Sequence, residues 1–428
     1  MDAYNTLCYL GAAALVIAHV NQRFGKLQNT IAITAFTVLS SIVIIGLGKL
    51  GAFGHSLAIV DWMSNINFQS LLLEGMLGFL LFAGGLGINL KHLSDQRREI
   101  AILVVCSTSL STAIVGAGLW YVLQWLQFPL DFIYCLLFGA LISPTDPIAV
   151  LAIVKKLNAP EQVAIQIEGE SLFNDGFGLV LFVTLFGIAF GTAEPSIGSI
   201  GLLFLQEAIG GIVYGLGLGL LAHILIKATQ DASLELLTTL TIPTAGFVFA
   251  EVIHVSGPLA MVVAGIFIAN KSIHPYMSPR DREKFEGFWH LIDEFLNSLL
   301  FLLIGLVMIT FTFHIEDGVI MLAAIGVVLA ARFISIALPY MAMWPWRSYN
   351  PMSVPILTWG GLRGGLALAM AMSVPEGEML FADKGIDVRE AILVMTYAVV
   401  LFSILVQGST IVPLIERAKR FNSGNSTQ

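Results

Sequence analysis

Apolar runs about as long as a lipid bilayer is thick recur along the whole chain. Polar segments or segments rich in Pro and Gly separate them. Of the 428 residues, 57% are hydrophobic and only 12% are charged, whereas a soluble domain of this length needs roughly twice that charge to cover its surface. The pattern therefore predicts an all-α polytopic membrane protein.

The hydropathy of the chain predicts about thirteen transmembrane helices. In chain order these spans are Tyr4–Val20, Thr30–Leu50, Ser70–Leu90, Ile100–Leu126, Phe132–Val154, Ser171–Gly191, Ile200–Ile226, Leu234–Ile253, Pro258–Asn270, Trp289–Phe313, Gly318–Trp344, Ser353–Val374 and Ala391–Ile415.

The distribution of Lys and Arg predicts the orientation of the spans, because short cytoplasmic loops carry more of these residues than external loops. Sixteen of the 21 basic residues lie in one alternating set of loops. The other set holds Lys49, Lys384 and Arg389, while Arg332 and Arg363 lie inside spans. We therefore expect an external N-terminus and a cytoplasmic C-terminus.

The spacing of the spans also predicts two inverted six-helix repeats, spans 1–6 and spans 8–13, with span 7 between them. Partners then lie seven spans apart and cross the membrane in opposite directions. Span 5 pairs with span 12, and each of these two spans carries a strong helix breaker at mid-depth.

No soluble segment is long enough to form a separate domain. We expect one membrane transport domain over residues 1–416 and a short cytoplasmic tail over residues 417–428. The excess of 29 acidic over 21 basic residues argues against a nucleic-acid partner. Because Cys8, Cys106 and Cys135 all fall inside apolar runs, nothing indicates a disulfide framework, a thiolate metal site or a cofactor.

Span 5 contains the segment Ser143-Pro144-Thr145-Asp146-Pro147. Its two prolines remove two backbone donors and crowd the preceding turns, so the helix must break here. Inside a membrane such a break is tolerated only where it is buried or lines a cavity. The break frames Asp146 with Thr145 beside it, and oxygen ligands of this kind suit a hard cation such as Na⁺. The alternative is a proline kink that holds a hydrogen-bonded carboxylate.

Span 6 opens with a polar segment that includes Glu170, Ser171, Asn174 and Asp175. On a helix these form i,i+4 pairs, so all four project from one stripe. A carboxylate buried in a membrane needs a cation, a proton or a base. Solvated acids at a helix end would explain Glu168, and Glu170 less fully, but explain Asp175 poorly, because purely apolar sequence follows it. A group satisfied either by Na⁺ or by a proton is the minimum requirement for an exchanger.

Span 12 contains Gly360-Gly361-Leu362-Arg363-Gly364-Gly365. Four glycines weaken the helix and allow another backbone to approach closely. If the two broken spans cross, Arg363 can offset the exposed carbonyl ends. Arg332, in span 11, is the other intramembrane cation. Either arginine could neutralise Glu170, and the residue pattern does not decide between them.

Several other titratable residues lie near the predicted ends of spans. Glu251 and His254 close span 8, where a hydrogen-bonded interfacial role is a simpler reading for His254 than a proton relay. Asp293 and Glu294 lie near the predicted start of span 10, so we expect them at the cytoplasmic interface.

Four motifs, which occur in order along the chain, together resemble those of the NhaP/NHE-type sodium/proton antiporters, and the resemblance runs from span 3 to span 13. They are Thr145-Asp146-Pro147, Glu170-Ser171 with Asn174-Asp175, Glu251-x-x-His254-x-Ser256-Gly257, and the glycine-rich segment of span 12. The resemblance implies an NhaA-like fold with crossed broken helices, a homodimer in the cell inner membrane, and a role in pH homeostasis.

The resemblance also implies roles for individual residues. Asp175 would be the carboxylate shared by Na⁺ and protons, and Asp146, Ser171 and the Thr145 backbone would complete the cation shell. Supporting roles would fall to Asn174 at the crossing, to Glu170 in an ion pair with Arg332, and to Arg363 at the break. An Asn before Asp175 goes with electroneutral one-for-one exchange in this family.

The chain departs from the family pattern at one position in span 3. Many prokaryotic members have Phe-Glu-Gly-Gly-Leu there, whereas this chain has Ala83 in the sequence Phe82-Ala83-Gly84-Gly85-Leu86. A glutamate that contributes to the cation site is therefore missing.

The interpretation that follows is a secondary antiporter, not an enzyme, which exchanges Na⁺ or Li⁺ for H⁺ by alternating access at one site. Burial disfavours the charged form of Asp175, so protons can compete with Na⁺ for it. Potassium/proton exchange is the closest alternative. A passive cation channel and a membrane-embedded hydrolase using Ser171 or His254 are weaker ones, since no nucleophile elbow or metal-binding His pair is present.

Overall fold

A computed structural model describes residues 3–25, 27–49, 67–128, 130–157, 161–191, 197–229, 231–273, 277–310, 317–343, 352–377, 379–381 and 386–425. Three basic residues used to predict the orientation, Lys26, Arg347 and Lys384, lie outside the described residues. So do the predicted span ends Leu50, Phe313 and Trp344, and the last three residues of the predicted tail.

The described chain is almost entirely helical. Its helices are α1 (Ala3–Val20), α2 (Asn29–Lys49), α3 (Phe68–Gly87), α4 (Leu90–Asp95), α5 (Arg97–Trp125), α6 (Phe132–Ile142), α7 (Ile148–Lys156), α8 (Glu161–Phe190), α9 (Ile197–Ala228), α10 (Ala232–Val252), α11 (Gly257–Ile273), α12 (Pro279–Thr310), α13 (Asp317–Met343), α14 (Ser353–Trp359), α15 (Gly365–Met372), α16 (Val388–Thr410) and α17 (Val412–Asn425).

Nine of the helices in the described part of the chain are long and apolar enough to cross a bilayer, and α6 and α11 are shorter apolar helices. The all-α polytopic architecture predicted from the sequence is therefore confirmed. Spans 5 and 12 are each divided in two, as α6 with α7 and α14 with α15. The total of thirteen spans stays a prediction.

Two helices begin ten residues before the spans predicted for them. Span 6 was expected to begin at Ser171, but α8 begins at Glu161. Span 10 was expected to begin at Trp289, but α12 begins at Pro279. Both helices open with polar turns that a hydropathy criterion treats as loop, although helix formation itself requires no apolar residues there. In α12 the start is set by Ser278, whose hydroxyl accepts the Asp281 N–H at 3.2 Å.

The earlier start of α12 changes the position of Asp293 and Glu294 within the helix. Both acids lie well inside α12 and not at its first turn, and their place at the cytoplasmic interface stays a prediction. Both line a cavity that opens at the protein surface.

Glycines bring several helices into close contact. In α3 and α11, a Cβ added to Gly85 would lie 2.7 Å from the Val262 carbonyl oxygen, and one added to Gly265 would lie 2.5 Å from the Phe82 carbonyl oxygen. Only residues without a side chain permit this separation, a common basis of helix packing inside membranes.

Two features near the C-terminus were not predicted. Met379–Phe381 and Ile386–Asp387 pair as two short antiparallel strands before α16. Helix α17 runs across the predicted boundary between domain and tail at residue 416, and Ile415 and Ala418 are both fully buried.

Candidate cation site

The two broken helices meet at their breaks. Residues 143–147 separate α6 from α7, and residues 360–364 separate α14 from α15. The Asp146 N–H donates to the Leu362 carbonyl oxygen at 2.8 Å, which forms an isolated antiparallel bridge between the two extended segments. Prolines in one segment and glycines in the other prevent a continuous helix in either. The crossing predicted for spans 5 and 12 is therefore present.

Arg363 binds the backbone carbonyl groups that the first break leaves free. Its guanidinium group donates to the carbonyl oxygens of Ser143 and Pro144, the latter at 2.8 Å. Its own N–H donates to the Ser403 hydroxyl at 2.8 Å. Because Arg363 is only 1% exposed, these contacts place a positive charge at the C-terminal end of α6, where the helix dipole favours it.

Glu170 pairs with Arg332, not with Arg363. The two terminal guanidinium nitrogens of Arg332 donate to the Glu170 carboxylate, Nη1 to Oε1 at 2.6 Å and Nη2 to Oε2 at 2.9 Å. Nη2 also donates to the Leu357 carbonyl oxygen at 3.2 Å. Both side chains are buried, so the pair joins α8 to α13 and to the first half of span 12. The geometry thus decides between the two arginines.

Asn174 attaches the first break to α8. Its Oδ1 accepts the Thr145 N–H at 3.2 Å, and its Nδ2 donates to Thr145 Oγ1 at 2.8 Å. The hydroxyl groups of Thr145 and Ser171 lie 3.0 Å apart. All three side chains are buried. The stripe predicted on α8 therefore faces the break.

Asp146 and Asp175 line the same cavity, which has a volume of about 800 Å³. Their negative charges are close enough to repel each other, and the charge of Arg363 partly offsets that of Asp175. Asp146 Oδ1 accepts the Ile148 N–H at 3.0 Å. Within the described residues, no hydrogen-bond donor contacts the Asp175 carboxylate, so a cation or a proton at this position would lower the electrostatic energy.

The same cavity is lined by residues that pattern reasoning did not assign to the site. Ala83 lies in its wall, at the position where the family pattern has glutamate. Gly364 lies against Asp146, because a Cβ added there would come within 2.4 Å of Asp146 Oδ2. The Gly-rich motif indicated a close approach of some backbone but could not identify Asp146 as its neighbour.

Glu251 and His254 are exposed and do not line the cavity. His254 has a positive φ of 56° at the turn after α10, and its carbonyl oxygen accepts a hydrogen bond from Gln206 at 3.3 Å. Ser256 caps α11 by accepting the Leu259 N–H at 3.4 Å. This motif therefore shapes the turn between α10 and α11.

Comparison with known proteins agrees with this arrangement. Residues 12–417 match the family model described as "Sodium/hydrogen exchanger, transmembrane". The chain is 38% identical over 410 residues to the Na(+)/H(+) antiporter NhaP of Pseudomonas aeruginosa, with 95% of each chain covered. It is 34% identical over 353 residues to the Na(+)/H(+) antiporter NhaH of Halobacillus dabanensis, which covers 82% of this chain and 83% of that one.

Among solved structures, the fold matches the sodium proton antiporter MjNhaP1 from Methanocaldococcus jannaschii with a TM-score of 0.75. The match covers 98% of this chain and 99% of that one at 19% identity, so it concerns the fold alone. With its apolar helices and this extent of similarity, the chain is an integral membrane protein. It belongs to the family of transmembrane sodium/hydrogen exchangers.

Proposed function

We propose that this protein exchanges Na⁺ for H⁺ across the cell inner membrane, one for one, and that Li⁺ can replace Na⁺. The relatives from Pseudomonas aeruginosa and Halobacillus dabanensis are both named Na(+)/H(+) antiporters. The observation that carries the proposal is the presence of Asp146 and Asp175 in one cavity at the crossing of two broken helices.

In the proposed mechanism, Na⁺ and protons compete for Asp175. Two nearby carboxylates that repel each other hold a cation strongly, and protonation of one of them weakens that hold. Asp146, Ser171 and the Thr145 backbone carbonyl complete the cation shell. Alternating access then moves the occupied site from one side to the other. The transported ions are the substrates, and no cofactor takes part.

The residues that surround the two aspartates have supporting roles in this proposal. Asn174 holds the break against α8, and the Glu170–Arg332 pair fixes the distance between α8 and α13. Arg363 satisfies the carbonyl groups at the break. These contacts keep the cavity in shape while the ion changes, which is what a site of fixed geometry needs.

Further parts of the proposal concern the whole protein. Residues 1–416 act as one transport domain and residues 417–428 as a cytoplasmic tail. The N-terminus lies outside the cell, the protein works as a homodimer, and its physiological role is pH homeostasis. The charge bias of the loops supports the orientation.

The test is to reconstitute the protein in liposomes and to record internal pH after Na⁺ is added outside. Proton movement that is driven by Na⁺ and unchanged when the voltage is clamped to zero is expected. Proton movement that is driven by K⁺ but not by Na⁺ would support the same mechanism with K⁺ as the transported ion. If correctly inserted protein produced no cation-driven proton movement, the proposal would be wrong, and a cation current without proton movement would indicate a channel.

A further inference from the structure

A polar stripe on α12 runs from the protein surface into the cavity that holds Asp146 and Asp175. Glu286, His290, Asp293 and Asn297 follow one another at intervals of three or four residues, so they share one helix face. All four line the cavity. Glu286 and His290 are exposed, Asp293 is half-buried and Asn297 is 4% exposed. At about 1.5 Å per residue, the stripe is roughly 16 Å long.

Asn297 presents a buried oxygen atom that lacks a partner. Its Nδ2 donates to Asp293 Oδ1 at 3.0 Å. Its Oδ1 accepts no hydrogen bond from any described residue. A buried polar atom in this state is rare, because its desolvation is not compensated. The atom therefore indicates a group that occupies the cavity beside it.

Thr30 of α2 presents a second such oxygen atom. Its side chain is 8% exposed, lines the same cavity, and its Oγ1 has no partner in the described part of the chain. Helices α2 and α12 run parallel, since Thr34 Oγ1 donates to the Phe301 carbonyl oxygen at 3.3 Å and Ser41 Oγ donates to that of Gly305 at 2.9 Å. One turn before Thr34 and Phe301 lie Thr30 and Asn297, so these two side chains belong to adjacent turns.

Polar and charged groups near these two oxygen atoms interact with the deeper carboxylate of Asp146 or with the residue that binds it. The negative charge of Asp293 is close enough to Asp146 to repel it. Gln28, whose Oε1 is also unpartnered within the described residues, places its Nε2 3.5 Å from the Ile148 carbonyl oxygen. Ile148 is the residue whose N–H binds Asp146. The polar atoms thus continue from Asp293 to the break in span 5.

We propose that the Asp293 carboxylate, Asn297 Oδ1 and Thr30 Oγ1, here called the oxygen cluster, form a second binding position for a monovalent cation. A partly hydrated cation is held there on its way to or from Asp146 and Asp175. The inference rests on the proposed function, since it assigns a step to the same transport path. Carboxylate, amide and hydroxyl oxygens are ligands for hard cations.

The oxygen cluster also explains how a cation reaches a deep site that lacks the family's span 3 glutamate. A carboxylate partway along the path raises the local cation concentration and lowers the desolvation cost of the final step. In this chain Asp293 supplies that charge from α12, while Ala83 supplies none from α3.

Thermal unfolding in detergent tests binding without transport. In the Asp146→Asn/Asp175→Asn double variant, Na⁺ in place of choline at constant ionic strength should still raise Tm, because a ligand that binds only the folded state stabilises it. Adding Asp293→Asn should abolish this shift. Adding Glu283→Gln instead, at an exposed acid of α12 that does not line the cavity, should leave it unchanged. A shift that Asp293→Asn does not affect, or no shift in the double variant, would overturn the proposal.

Transport kinetics give a second measurement in case the double variant does not fold. In otherwise wild-type protein, Asp293→Asn should raise the KM for Na⁺ by about fivefold or more and leave the maximal rate within about twofold. Glu283→Gln, outside the cavity, should change KM by less than about twofold. A lower maximal rate at unchanged KM in the Asp293→Asn variant would overturn the proposed second binding position. If wild-type protein exchanges Na⁺ for H⁺ but the Asp293→Asn variant does not show the expected changes, only the second binding position is wrong. If wild-type protein shows no exchange, the proposed function itself is contradicted.

Discussion

Glu170 and Arg332 form an ion pair with two hydrogen bonds, of 2.6 and 2.9 Å, in a part of the protein where both side chains are buried. The pair connects α8, which carries Asp175, to α13. Taking two charges out of water is costly, and the paired geometry compensates that cost only while both partners are present. The pair therefore constrains the fold more than it adds to stability.

Removal of one partner should destabilise the protein strongly. We expect Glu170→Gln or Arg332→Gln to lower the free energy of unfolding by about 3–5 kcal/mol, because each leaves an uncompensated buried charge. The Glu170→Gln/Arg332→Gln double variant should lose less free energy of unfolding than the two single variants lose in sum. Thermal unfolding in detergent measures this. As a control, Lys284→Gln removes an exposed pair with Asp281 at 3.5 Å and should leave the stability nearly unchanged, because solvent screens such a pair. Equal losses in buried and exposed variants would contradict this interpretation.

A methyl group at Gly364 should displace the Asp146 carboxylate. The added Cβ would lie 2.4 Å from Oδ2 and 2.8 Å from Cβ of Asp146, too close for the side chain to remain in place. We expect Gly364→Ala to lower sodium-driven proton flux by at least about tenfold, because a displacement of about 1 Å disrupts a precisely held site.

The matched control for Gly364→Ala is Gly326→Ala in α13, where no atom lies within 4 Å of the added Cβ. It should retain wild-type flux. Size-exclusion profiles should show that both variants are folded. Wild-type flux in the Gly364→Ala variant would mean that the position of Asp146 does not control transport.

Restoring the family's glutamate at Ala83 should strengthen sodium binding. Ala83 lines the cavity that holds both aspartates, so a carboxylate there adds a ligand and a negative charge. We expect Ala83→Glu to lower the KM for Na⁺ by up to about tenfold, which corresponds to about 1.4 kcal/mol. Ala83→Gln, similar in size but neutral, is the control. If Gln and Glu had the same effect on KM, charge at this position would not matter for binding.

The sequence predicted the architecture well where local chemistry decides it. Pro144 and Pro147 must break a helix wherever they occur in a span, and a polar stripe beginning at Glu170 needs partners wherever it is buried. Those features predicted that the two broken spans cross and which face of α8 contacts the crossing. The family resemblance then indicated Arg332 as the partner of Glu170.

Other features depend on contacts between distant segments and could not be predicted. Residue types alone allowed Arg332 and Arg363 equally, because the choice depends on which helix packs beside α8. The starts of α8 and α12 were placed late, since hydropathy measures transfer into lipid and not helix formation. The sequence consequently did not indicate that Asp293 lines the cavity.

Replacement of Asp175 tests the competition between sodium and protons most directly. Internal pH should be recorded over a range of external pH in liposomes that contain wild type, Asp175→Asn or Asp175→Glu. For wild type, the KM for Na⁺ should rise as pH falls, because protons occupy the same carboxylate. Asp175→Glu should keep this dependence, and Asp175→Asn should lose sodium-driven proton movement. Sodium-driven proton movement in Asp175→Asn with the pH dependence of wild type would contradict a shared site at Asp175.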